Sequence, residues 1–252
     1  MTVSETEYPT WPPGLWRRIM LTPHPGWIGA ALEDDMHCFH LRIDHADGVI
    51  TSVAARGVRT PWTACGGAPD FIARSLTGEP LSEVANRDPS QQCTHLFDLA
   101  IVAAAHAGDT VPTTFDMRVA DRVDGRTTAT LRVNDEERLR WQLNETIIEG
   151  PDRFAGLDIK RVSKWKHDFP ANEAEWSTLL RRAIFISGAR IYEPQMDKRA
   201  VEMGPGRMGV CFNYQLPQAE ESRPIFDRRE FSMTPHEPLE GFEPEAAFEA
   251  MG

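Results

Sequence analysis

Four side chains combine a metal-ligating type with a place at the end of an element: His37, Cys65, Cys93 and His95. Zinc takes thiolate and imidazole donors tetrahedrally at about 2.0–2.3 Å, so ligands far apart in sequence must converge on one point. Three carboxylates, Glu33, Asp34 and Asp35, run up to the first of them in "EDDMHCF". An acid beside a metal-bound water is a candidate general base. Cys93 and His95 lie two apart, and such positions on an α-helix point about 200° apart. Both reach one ion only if Cys93 stands before the first turn, with Thr94 as N-cap. A helix N-terminus there also favours the thiolate.

The shell has two readings. With His37 as a ligand it closes as two thiolates and two imidazoles, the composition of a structural zinc site. If His37 or Asp35 stands off, a position stays open for water or substrate. Donor softness puts zinc first and iron or an iron–sulfur group second.

These residues need elements whose ends meet. "MHCFHLRID" alternates with period two, and "HADGVITSVAARG" follows through a turn at Asp47-Gly48, which predicts a hairpin. "APDFIARSLTGEPLSEV" carries Phe71, Ile72, Leu76 and Leu81 at helical spacing, with Gly78 as the stop. "THLFDLAIVAAAHAG" puts Leu96, Leu99, Ala100, Ala103 and Ala104 on one stripe that ends at Gly108. Residues 27–110 thus read as one ββαα unit. Cys65 falls between its second strand and first helix, Cys93 and His95 open its second helix, and His37 starts its first strand.

Residues 111–192 read differently. "TTFDMRVA", "TATLRVN" and "RLRWQLN" alternate and are joined at Asp124-Gly125 and Asn134-Asp135, which predicts a three-stranded antiparallel meander. A long helix follows in "NEAEWSTLLRRAIFISGARIY", with Asn172 as N-cap, Glu175 three residues on, and Trp176, Leu179, Leu180, Ala183 and Ile184 as its apolar face. Residues 1–26, rich in proline, read as irregular, and residues 193–252 as an extended or partly disordered arm. The fold class is α+β. Cys38 and Cys211 read as structural, and His40, His45 and His106 as surface histidines.

The 252 residues suffice for a sizeable core. A net charge of −11 and the lack of any basic run exclude phosphate neutralisation as a source of affinity, so nucleic acid is not an expected partner. Apolar runs stay far below the ~20 residues of a bilayer span, and the start has no signal-peptide pattern. With four cysteines and no disulfide framework, a cytoplasmic protein with free or ligating thiols is expected.

"DHADGVITSVAARG", Cys65, "LTGEPLSEV" and Cys93 before an alanine-rich helix resemble the iron–sulfur scaffold family of NifU and IscU. The resemblance implies a ββαα layer in which Cys65 and Cys93, with Asp35 and His37 near the family's hairpin position, hold zinc or a nascent cluster. The family's leading cysteine is absent here, and its His-Cys order is replaced by Cys93-Thr94-His95. "EDDMHCF", "PWTACGGA", "CTHLFDLA", "RLRW" and "EAEWSTLLRRA" resemble the uncharacterised bacterial family known as domain of unknown function 2889. That resemblance covers roughly residues 27–190 and implies that His37, Cys65, Cys93 and His95 act as one polar set; it supplies no reaction.

Three functions stay open. The first is a zinc-dependent lyase or hydrolase acting on a small molecule, with Glu33, Asp34 or Asp35 as base. The second is an iron–sulfur or zinc carrier. The third is a non-catalytic partner subunit with structural zinc, which the arm could also join into a homodimer.

Overall fold

A computed structural model describes residues 11–191 and 195–252. It is a mixed α+β protein with, among the described residues, eight strands: β1 Gly14–His24, β2 Trp27–Glu33, β3 Cys38–Ala46, β4 Val49–Arg59, β5 Thr113–Ala120, β6 Arg126–Val133, β7 Glu136–Asn144 and β8 Ile147–Gly150. They form an antiparallel sheet in the order β4-β3-β2-β1-β5-β6-β7-β8. The helices are α1 Ala68–Leu76, α2 Thr94–Ala105, α3 Val162–Trp165, α4 Ala171–Ser187, α5 Gln218–Glu221 and α6 Pro244–Glu249. None is long and apolar enough to cross a membrane.

The chain divides into two compact units. The first holds the segment ending at Arg18, the chain from Thr114 through α4, and Glu230–Pro238. Its meander β5–β6–β7 pairs as the alternation predicts, and β8 adds a fourth strand through a hairpin. Leu179, Leu180, Ala183 and Ile184 of α4 are buried, while Trp176 is half-buried. The predicted cap at Asn172 is not made. Helix α4 begins at Ala171 with Pro170 as N-cap, so Asn172 falls inside the first turn, where its Oδ1 accepts the Glu173 amide at 3.0 Å.

The second unit holds Ile19–Thr113, the tail up to Arg229, and Leu239–Gly252. Within residues 27–110 three strands stand where two were expected, because Trp27–Glu33 forms a strand of its own. That segment shows no alternation since six of its seven residues are buried, as in a strand covered on both faces. The β3–β4 turn is as read: Asp47 and Gly48 have φ of 52° and 77°, the left-handed pair of a tight hairpin. Helix α2 packs on β2 and β3, and α1 on β4.

Two expectations are overturned. Residues 1–26 are not irregular throughout, for β1 begins at Gly14, directly after Pro12 and Pro13, and only Pro23 falls inside it, next to its end. Proline is tolerated at such strand ends. The described part of 193–252 is not a loose arm either. It buries Phe212, Tyr214, Phe231, Leu239 and Phe248. The missing periodicity reflects short irregular turns, not a lack of core contacts.

Candidate functional site

The site is built at the turn between β2 and β3. Glu33 and Cys38 pair as the last rungs of the two strands, leaving Asp34 to His37 to reverse the chain. The Asp34 amide donates to the His37 carbonyl at 2.8 Å. Asp34 Oδ1 in turn accepts the amides of Met36 and His37 at 3.0 and 2.9 Å, an aspartate-closed turn. The same oxygen lies 2.9 Å from His37 Nδ1. Backbone and imidazole are thereby fixed by one carboxylate.

Helix α2 completes the arrangement. Its first turn lies over β2 and β3, so the His95 ring stacks on His37 with centroids 3.6 Å apart and planes 23° from parallel. Phe39, on the same side of β3, flanks both rings at 6.2 and 6.1 Å. Among the described residues, Asp34, His37 and His95 each present a ligand atom, and these atoms lie within 4.8 Å of one another. Asp34 and His37 are buried; His95 is half-buried and gives the group its edge toward solvent.

The other acidic residues have structural work. Glu33 Oε1 accepts from the guanidinium groups of Arg59 at 2.9 Å and Arg229 at 3.1 Å, and its Oε2 accepts the Leu239 amide at 2.6 Å. Buried Arg59 also donates to the Asp34 and Asp35 carbonyls, both at 2.6 Å. Arg59 thus clamps the turn that presents His37. Asp35 is fully buried, and its carbonyl also accepts the Arg229 amide at 2.8 Å.

The cysteines gather elsewhere. Cys93, not Thr94, is the N-cap of α2, so it does stand before the first turn. Cys65, Cys93 and Cys211 act on one another electrostatically, but among the described residues their three sulfurs do not all come within 4.8 Å of one another. Burial pushes the Cys93 thiol up to about 12, against the pull of the His95 and Leu96 amides. Burial likewise raises Cys65, with Cys93 and Cys211 adding to it, and raises Cys211. Cys38 is buried among Ala31, Leu239 and Phe248, and burial with Glu33 nearby pushes its thiol up to about 12. His40 is no surface histidine: it packs on Phe242 at 4.6 Å, and burial lowers its pKa.

Of the six residues read as ligands or bases with Asp34, the structure therefore brings His37 and His95 to it and leaves Cys65 and Cys93 with Cys211. Sequence reasoning missed the ring stacking, the Arg59 clamp and Cys211. The Asp-x-x-His spacing at 34–37 was the available signal for the first pair. Cys211 sits in an aperiodic stretch that carries none. Compared with protein-family models, with curated proteins and with solved structures, the chain finds no match.

Proposed function

We propose that the chain is a metal-dependent enzyme of lyase or hydrolase type acting on a small molecule, with the ion held by Asp34, His37 and His95. The observation that carries this reading is the approach of three ligand atoms to within 4.8 Å at the mouth of α2. Two imidazoles and a carboxylate suit zinc in an open catalytic shell, and suit iron(II) equally in donor type. Zinc is the first choice. A bound ion of this kind lowers the pKa of its water and polarises a substrate oxygen.

The chain's own residues do the rest. Asp34 Oδ1 lies 2.9 Å from His37 Nδ1 and fixes the orientation of the ring. Phe39 and the buried turn exclude water from one side, and His95 is half-buried on the other. Arg59 keeps the carbonyls of Asp34 and Asp35 occupied, so the turn holds its shape without the ion.

A second reading rests on the same 2.9 Å contact. Without a metal, Asp34 and His37 form an acid–imidazole dyad in which the carboxylate orients the base. As a wider expectation, the run of strands followed by α1 and α2, with Cys65 after β4 and Cys93 opening α2, supports the likeness to the NifU and IscU scaffolds. Of the polar set that the likeness to domain of unknown function 2889 implies, His37 and His95 meet, whereas Cys65 and Cys93 lie apart from them. Neither likeness names a reaction.

The test is metal analysis of the purified protein and of two variants. About one zinc per chain is expected in the parent and less than a tenth of that in His37→Ala and His95→Ala. Both variants should keep the parent's circular dichroism, because the turn is closed by Asp34 and Arg59. Full zinc content in both variants would reject the metal reading. A parent that binds no divalent ion at micromolar concentration would leave the dyad.

A further inference from the structure

Cys93 and Cys211 lie on two segments of chain that are hydrogen-bonded on either side of them. The Phe212 amide donates to the Gln92 carbonyl at 2.9 Å, one residue to one side of the pair. On the other side the Thr94 hydroxyl donates to the Val210 carbonyl at 3.5 Å. The first is a backbone bond and the second a side-chain bond, and together they hold the two segments side by side at Cys93 and Cys211. A disulfide spans about 4.4–6.8 Å between Cα atoms, the reach of residues on adjoining segments. All the cysteines are free thiols in this structure.

We infer that Cys93 and Cys211 are a disulfide-forming pair that reacts with low-molecular-weight disulfides. Cys211 is half-buried and is the point of entry, whereas Cys93 is buried behind it. In the first step the Cys211 sulfur attacks the small disulfide, forming a mixed disulfide and expelling one small thiolate. In the second, the Cys93 sulfur attacks Cys211 and expels the other. The protein loses two hydrogens, taken up as protons by the two leaving thiolates, and the small disulfide is reduced to two thiols. The link joins the tail to the N-cap of α2, two residues before His95. It adds a covalent tie where the native contact is otherwise hydrogen bonds and the packing of Phe212 on Phe71.

Oxidised glutathione, applied in excess to the full chain at neutral pH, tests this. Two of the four thiols should disappear, and peptide mapping without reductant should join the Cys93 peptide to the Cys211 peptide. Cys65→Ser should form the same link, while Cys93→Ser should stop at a mixed disulfide on Cys211. Dithiothreitol should restore four thiols in the parent. The inference fails if all four thiols survive, if a mixed disulfide persists on Cys211 in the parent, or if the link found involves Cys65. Since Cys65→Ser and Cys93→Ser report separately, a folding defect in one leaves the other decisive.

Discussion

Arg59 shows how one residue fixes a site it does not enter. Its guanidinium is buried, pairs with buried Glu33 and donates to two carbonyls of the turn that carries His37. Removing one partner of a buried ion pair leaves the other charge uncompensated. Glu33 would keep Arg229 and the Leu239 amide, which softens the loss. Arg59→Met should therefore destabilise the protein by about 3 kcal/mol, toward the lower end for broken buried pairs. It should also loosen the Asp34–His37 turn, so zinc affinity should fall although no ligand is changed. Denaturant unfolding and a zinc titration read the two effects; unchanged affinity alongside lost stability would confine Arg59 to the core. None of this was legible beforehand. Arg59 reads as an ordinary strand-end arginine, and its partners lie 24 to 26 residues away in sequence.

At the scale of elements, the strand β2 decides how closely its neighbours approach. A Cβ placed on Gly29 would meet the Phe248 ring of α6 at 2.1 Å, closer than any packed side chain tolerates. Gly29→Ala should force that ring away and cost about 1–3 kcal/mol, the range for overpacking a filled core. A loss below a few tenths of a kcal/mol would show that α6 shifts freely. The alternating segments were legible: β3 and β7 follow their period, and α1 and α4 bury the stripe their spacing gives, because each has one dry face and one wet face. Strand β2 lacks that contrast, being buried nearly throughout, and β1 was hidden by its prolines. In the site, His37 and His95 were legible as chemistry at element ends. Their pairing with Asp34, rather than with Cys65 and Cys93, was not, because it depends on which side of the first turn of α2 each side chain leaves.

At the scale of the whole molecule, the last part of the chain supplies core to both units. Glu230–Pro238 belongs to the first, where Phe231 is buried, Ser232 Oγ accepts the Gly14 amide at 3.0 Å, and Glu230 pairs with Arg190 at 2.9 Å. Leu239–Gly252 belongs to the second, where Leu239 and Phe248 are buried and the Leu239 amide binds Glu33. A chain ending at Arg229 would expose the partners of three large apolar side chains. At about 1.5–3 kcal/mol for each buried side chain, the loss is roughly 5–9 kcal/mol, set against the 5–15 kcal/mol of a typical domain. The truncated chain should therefore lose its cooperative thermal transition, or melt tens of degrees lower, by far-ultraviolet circular dichroism. Because Glu33 would lose the Leu239 amide while keeping Arg59, zinc binding should weaken in whatever fraction stays folded. Phe248→Ala alone, at about 3–5 kcal/mol for emptying a buried phenylalanine site, should reproduce part of the effect. A truncated chain that melts within a few degrees of the parent would show that the tail covers a core already stable without it.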